Sequence, residues 1–306
     1  MSQRVGVLMG GMSTERGVSI KSGKAVSDAL RSRGHTVIEI DVGPNLPSQL
    51  IEQQIDVAWI ALHGAFGEDG CVQGLLEVMR IPYTGSGVRP SAIAMDKITT
   101  KRLLQDSDIA LPPDEVWRRG DPIPTIKTPV VVKTPSGGST IGVYICHDQS
   151  AVTTALAECE QWANEVLIEK MIAGDEITVA VLDGQPLPVV LIQPDTGFFD
   201  FDAKYTEGKT QYIVPAPLPR SLCQTAQRYA SIAYNTLGLS GIARADFIVD
   251  SEGIPWFLEI NTAPGMTATS LSPMAANAIG IEFPELVERL LSSADLCTPI
   301  SESNQT

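Results

Sequence analysis

The chain has 306 residues, 43% of them apolar, with 22 Lys+Arg against 36 Asp+Glu and a net charge of −14. That length holds one large domain or two to three smaller ones, and the acidic balance argues against non-specific nucleic-acid binding. The five scattered cysteines show no CxxC, and neither a signal-peptide core nor an apolar run long enough for a bilayer is present, so a soluble cytoplasmic protein without zinc or disulfide framework is expected.

Residues 4–9 read as a buried strand, followed by Gly10-Gly11 and a helical pattern up to Gly34. Further strands at 36–41 and 56–62, separated by helical or loop segments, predict a parallel, doubly wound sheet. Ligands of such sheets collect at the carboxyl ends of the strands, where two motifs stand: GGMSTER at 10–16 and HGAFGEDG at 63–70. The first lacks the spacing of a GxGxxG dinucleotide fingerprint. Glu15 reads either as a first-turn carboxylate favoured by the helix dipole or as a ligand-facing acid. His63 reads also as a strand-end core histidine. A short amphipathic helix at 71–80 and a glycine-rich turn at 81–87 complete a first domain over 1–95.

A basic helix starts at Lys97 and runs to Leu104, and prolines at 112, 113, 122 and 124 mark loops. A short strand at 130–133 leads into TPSGGST at 134–140 and a second strand at 141–145. This loop is not a GxxxxGK[ST] phosphate loop. Its small residues would still let backbone N–H groups wrap phosphate oxygens, with Lys133 as counter-charge, and an ordinary hairpin loop is the plainer alternative. A helix at 150–159 and a strand at 165–170 follow, then Gly174-Asp175-Glu176. Strands at 177–182 and 187–193 are joined by Asp183-Gly184-Gln185-Pro186. The loop at 197–211 contains Lys204-Tyr205, either ligand-facing or merely surface. A long helix at 220–237 stops at Gly238, and a polar tail follows Cys297. A central lobe over 96–180 and a last lobe over 181–306 are expected.

The stretch 244–267, RADFIVDSEGIPWFLEINTAPGMT, reads as a β-hairpin. If Glu252-Gly253 form a two-residue loop, Asp246 lies opposite Glu259 and Arg244 opposite Asn261, all four on one face. Phe247, Val249, Trp256, Leu258 and Ile260 would then anchor the other face, and a longer loop would scatter the quartet. Two carboxylates and an amide oxygen suit a hard cation such as Mg²⁺ carried by substrate phosphates. A solvated outer face is the bland alternative. The small-residue loop at 262–267 after the hairpin favours a site, because its backbone N–H groups could meet a ligand.

Lys97, Lys133 and Lys204 can balance phosphate charge in an acidic protein, and Glu169 and Glu176 flank a segment with polar groups for a nucleoside. That inventory suits phosphoryl transfer, which asks mainly for positioning and charge neutralisation. Along nearly its whole length the sequence resembles the D-alanine–D-alanine ligases of the ATP-grasp superfamily. The resemblance is carried by 10–16 with Val18-Ser19, by 63–70, by QGLLE at 73–77, by 81–88 and by Met95-Asp96-Lys97. It continues through the lid at 133–142, Ala203-Lys204-Tyr205, 244–267 and Ser270-Leu271.

The resemblance implies an N-terminal doubly wound α/β domain followed by a two-lobed ATP-grasp fold with α+β character. Lys97, Lys133 and Lys204 would bind ATP phosphates, and Glu169, Lys170, Ile172 and Glu176 would hold adenosine with Phe198 nearby. Asp246, Glu259 and Asn261 would coordinate two Mg²⁺ or Mn²⁺ ions. Glu15, linked through Ser139 and Tyr205, would orient the first D-alanine, beside Val18 and His63. Arg244 and backbone N–H around Gly265 would stabilise the oxyanion, and Ser270 and Leu271 would bind the second D-alanine's carboxylate. A homodimer is implied as well, with neither nucleic acid nor membrane as partner.

Two positions depart from the family pattern. Gly17 stands where Glu is common, and Gly137-Gly138 replace a more polar pair in the lid. Glycine raises the entropy lost on lid closure, so a weaker ATP affinity is expected. Tyr205 argues against the D-alanine–D-lactate variant of the reaction. A nucleotide-sensing module without catalysis would not need the whole set of lysines, carboxylates and Arg244.

Overall fold

The computed structural model of the protein describes residues 2–124, 127–137, 142–194 and 210–297. Four residues expected at the site, Ser139, Phe198, Lys204 and Tyr205, lie outside them, as does Gly138. Strand β1 (Arg4–Met9) is central to a parallel sheet of order β2-β1-β3, with β2 at Thr36–Asp41 and β3 at Val57–Ile60. Its Val5, Val7 and Leu8 are wholly buried, as a strand covered on both faces requires. Helix α1 (Arg16–Ser32) returns from β1 to β2, and α2 (Leu46–Glu52) from β2 to β3. Helix α3 (Cys71–Met79) starts behind Gly70 and stops at Arg80, both in the left-handed region.

Two short helices, α4 (Val88–Met95) and α5 (Lys97–Leu104), lead to an antiparallel sheet of order β4-β7-β5-β6. Its strands are β4 (Asp114–Arg118), β5 (Val130–Lys133), β6 (Val143–Cys146) and β7 (Glu165–Lys170). Helix α6 (Gln149–Cys159), capped by the Asp148 side chain on Ala151 N–H, packs Val152, Ala155 and Leu156 against it.

The second antiparallel sheet runs β11-β10-β8-β12-β13, with β9 attached to the end of β8. These strands are β8 (Asp175–Leu182), β9 (Gln185–Pro186), β10 (Val190–Pro194), β11 (Thr210–Ile213), β12 (Ile242–Val249) and β13 (Pro255–Asn261). Strand β8 pairs with β12 along its whole length, so the chain changes sheet between Lys170 and Asp175, before the boundary at 180 expected from sequence. Helix α7 (Arg220–Leu237) lays Ala226, Ala230, Ala233 and Leu237 on this sheet, a spacing that keeps them on one face. Gly238, at φ 68°, ends it as expected. Helices α8 (Leu271–Asn277) and α9 (Phe283–Ser292) close the chain.

The first and last parts share one core. Val5, Val7 and Trp59 of the parallel sheet and Val26 and Leu30 of α1 cluster with Ala180, Ile242, Leu286 and Leu290. At the rim, His35 Nε2 meets Glu288 at 3.0 Å, and Tyr83 bridges to Asp295.

Candidate active site

The β12–β13 hairpin does not have the two-residue loop expected. Val249 pairs with Pro255, which leaves a five-residue connector, 250–254. Asp250 organises it: Oδ1 accepts from Glu252 N and Ile254 N, both at 2.9 Å, and Oδ2 from Trp256 Nε1 at 2.8 Å. Those bonds, the one from Trp256 foremost, hold the Asp250 carboxyl below its ordinary range. Further along, Phe247 pairs with Phe257 but Asp246 with Glu259, so Leu258 is a bulged residue with no opposite. The bulge cancels the longer loop, and the expected pairs Asp246–Glu259 and Arg244–Asn261 stand. The apolar face differs in consequence. Phe257, not Leu258, packs edge-to-face on Phe247 with ring centroids 5.7 Å apart, and Trp256 turns to the loop.

Asp246 is the hub of the polar face and only 5% exposed. Arg244 grips it with two bonds, Nε to Oδ1 at 2.8 Å and Nη2 to Oδ2 at 2.7 Å. Thr178 Oγ1 lies 2.6 Å from Oδ1 and 3.1 Å from Ala245 O; its single proton serves the charged acceptor better. Asn261 donates Nδ2 to Oδ2 at 3.1 Å, so the amide presents its oxygen, not its nitrogen, to a ligand. Glu259 meets Lys97 Nζ at 3.0 Å, and the same ammonium donates to Gly137 O at 2.6 Å. Lys97 thus ties the start of the lid to the hairpin.

A second charged group lies behind the central sheet. Glu169, 2% exposed, accepts from Lys101 Nζ at 2.5 Å and is ion-paired with Lys133. Lys101 also meets Asp114 at 2.9 Å and Pro112 O at 2.8 Å. Burial works to raise the Glu169 carboxyl, yet Lys133 and Lys101 together hold it below the ordinary carboxylate range. Its carboxylate is therefore committed to two lysines. Lys101, which the sequence shows only as one cation on a basic helix, completes the cluster. Lys170, Ile172 and Glu176 lie in or beside the connection between β7 and β8, where the two lobes meet.

On the first domain, Glu15 occupies the N-cap position of α1 and its Oε2 lies over Gly64, where a Cβ would come within 2.8 Å of it. Val18 is half-buried one turn on. A side chain at Gly17 would meet nothing within 4 Å. His63 and Glu68 reach from the β3–α3 loop to the loop after the hairpin: Ala263 N–H donates to Glu68 Oε1 at 3.2 Å, and Gly64 N–H to Oε2 at 2.6 Å. Burial lowers the His63 imidazole, and burial with the nearby Glu15 pushes the Glu68 carboxyl up to about 8. Ser270 precedes α8, its Oγ 3.1 Å from Thr267 N and 2.8 Å from Thr267 Oγ1, with Leu271 next in the chain. Gly265 packs against Ser270, where an added Cβ would sit 3.2 Å from Oγ.

Two family profiles match the chain: "D-ala D-ala ligase C-terminus" over residues 113–292 and "D-ala D-ala ligase N-terminus" over 45–86. A D-alanine–D-alanine ligase of Syntrophotalea carbinolica is 51% identical over 296 residues, covering 96% of this chain and 97% of its own. The chain belongs to the D-alanine–D-alanine ligase family. A ligase of the same name from Geotalea uraniireducens is 45% identical over 299 residues, with 96% of each chain covered. Among solved structures, the D-alanine–D-alanine ligase of Bacillus anthracis superposes with a TM-score of 0.85 at 37% identity, covering 95% of this chain and 97% of that one. The same enzyme complexed with ATP gives 0.84 at 35% identity over the same shares. The α/β fold with a parallel first sheet and antiparallel later sheets is the one expected, and none of the described helices is long and apolar enough to cross a membrane.

The donor chemistry fits divalent cations. Asp246, Glu259 and Asn261 supply only oxygen ligands, and hard cations such as Mg²⁺ take these. Each carboxylate is paired with a cationic side chain, Asp246 with Arg244 and Glu259 with Lys97, so a bound cation would compete with those pairs for the same oxygens. No group of three His, Cys, Asp or Glu that could hold a metal ion occurs among the described residues.

Proposed function

We propose that this protein joins two D-alanines into D-alanyl-D-alanine at the expense of ATP, supplying a peptidoglycan precursor. Family membership over nearly the whole chain supports the reaction. The observation that carries it to particular residues is the gathering of Arg244, Asp246, Glu259, Asn261 and Lys97 on one face of the hairpin. The first D-alanine's carboxylate attacks the γ-phosphorus of ATP, giving an acyl phosphate and ADP. The amine of the second attacks that carbonyl, and phosphate leaves the tetrahedral intermediate.

Lys97, Lys133 and Lys204 neutralise ATP phosphates, and Lys97 draws the lid towards the hairpin. Lys170, Ile172 and Glu176 hold adenosine with Phe198, the ribose hydroxyls falling to Glu176 because Glu169 is committed to Lys101 and Lys133. Asp246, Glu259 and Asn261 would hold two Mg²⁺ or Mn²⁺ ions, which when bound offset the charge of the transferring phosphoryl group. Glu15 orients the first D-alanine's ammonium, with Val18 and His63 lining that pocket and Ser139 and Tyr205 completing the link. Arg244 and Gly265 N–H receive the oxyanion, where preorganised donors act most strongly. Ser270 and Leu271 take the second carboxylate. Excluding water protects the acyl phosphate, which gives the lid and the Lys204-Tyr205 loop a shared purpose. The protein works as a cytoplasmic homodimer.

The test is phosphate release from ATP against a panel of D-amino acids and D-lactate. D-alanine-dependent turnover yielding the dipeptide is expected. Turnover only with D-lactate as second substrate would replace the reading with a D-alanine–D-lactate ligase, and none with any of them would remove the ligase reading.

A further inference from the structure

The loop from Thr262 to Met266 carries Gly265 N–H, and the first domain grips it on both sides of that residue. Upstream, Ala263 N–H donates to Glu68 Oε1 at 3.2 Å. Downstream, Met266 N–H donates to Ser22 Oγ at 3.1 Å. Ser22, 1% exposed on α1, also lies 3.3 Å from His63 Nε2. Ser13 Oγ in turn donates to His63 O at 2.7 Å, which steadies the residue from its own backbone.

The Met266 amide can only donate, so Ser22 Oγ accepts there, and the same oxygen meets His63 Nε2, with the donor set by the ring tautomer. Burial favours the neutral ring. Glu68 is bound on both oxygens by backbone N–H groups, one from each domain.

We infer that Ser22 and Glu68 are positioning residues for the peptide-forming step: they clamp Met266 and Ala263 on either side of Gly265, with His63 backing Ser22, and so set where Gly265 N–H points. The inference rests on the oxyanion role given to Gly265 above. A donor is useful only within a few tenths of an ångström of where the oxyanion forms, and a misplacement of about 1 Å costs on the order of 100-fold in rate. Neither residue needs to touch substrate. The clamp also joins the pocket of the first D-alanine, beside Glu15 and Gly64, to the loop that stabilises its reacting carbonyl.

The experiment uses the full chain carrying Ser22→Ala or, separately, Glu68→Gln, the second variant guarding against failure of the first to fold. In Ser22→Ala, kcat for dipeptide formation should fall about 10- to 100-fold with the KM for ATP within roughly twofold. Glu68→Gln, whose amide can accept only one of the two N–H groups, should show the same split. Nitrogen NMR of the imidazoles, of which the chain has three, should show the His63 Nε2 resonance shift in Ser22→Ala as its hydroxyl partner is lost. A kcat unchanged in both variants, or a His63 Nε2 resonance indifferent to Ser22→Ala, overturns the inference. The NMR measurement reads the clamp without turnover. An unaltered protein that makes no dipeptide would therefore defeat the ligase reading while the clamp is judged separately.

Discussion

Replacing Glu169 by Gln removes the one charge that holds two buried lysines. Lys101 keeps Asp114 and the Pro112 carbonyl, so its loss is partial. Lys133 has no other carboxylate within 4.0 Å among the described residues and becomes an uncompensated buried cation. Breaking one side of a buried pair costs about 3–5 kcal/mol, whereas removing both partners costs much less. At roughly 2–4 °C for each kcal/mol, the melting temperature should drop by about 6–20 °C. Thermal and urea unfolding of the ligand-free protein would measure this, in the wild-type and in a Lys133→Met background. The background should erase most of the penalty, and saturating ATP should shrink it, because phosphate then answers Lys133. Acid should shrink it too. The folded Glu169 carboxyl is depressed, so its contribution is present above the unfolded value near 4.3 and is lost as pH falls through the lower folded one. A loss below about 1 kcal/mol, or an equal loss in both backgrounds, would refute the reasoning that one buried carboxylate organises the pair.

Asp246→Asn and Glu259→Gln should each cut turnover and change its Mg²⁺ dependence; if both variants turn over normally, the hairpin face is structural only. Glu68 and His63 should give stability opposite slopes with pH. The Glu68 carboxyl, raised to about 8, contributes below its unfolded value and loses that contribution as pH rises through 8. His63, lowered by burial, contributes above its unfolded value near 6.5 and loses it as pH falls. Melting curves from pH 5 to 9 should therefore lose their alkaline limb in Glu68→Gln and their acid limb in His63→Gln. Gly70→Ala should destabilise by about 2 kcal/mol or more in urea unfolding, because its Cβ would lie 2.6 Å from the Val88 carbonyl at φ 90°. Gly138→Glu should lower the KM for ATP by restoring a polar lid residue; an unchanged or raised KM would count against that account of the lid.

Elements with a local signal were legible in the sequence. Helix α7 and its glycine stop follow from periodicity and one permissive residue. The pairing of the hairpin's polar end was found on an incorrect loop, because Asp250 gathers three donors and lengthens the turn while Leu258 restores the count. Strand β4 was hidden by the prolines on either side of it, although its own residues pair regularly with β7. Lys101 and Ser22 carry no local sign of their roles. Their partners lie 68 residues away at Glu169 and 244 at Met266, and only folding brings them within bonding distance.

The core shared by the first sheet and the last helix also governs the order in which this chain can mature. Trp59, Val26 and Leu30 are made early, yet the faces they bury against belong to Ile242, Leu286 and Leu290. The first domain therefore emerges from synthesis with an unmet apolar surface and waits for some two hundred residues before closing it. Contacts this distant in sequence slow folding and leave intermediates exposed meanwhile. The same delay means that the clamp on Gly265, whose parts come from both ends, assembles only when the chain is nearly complete.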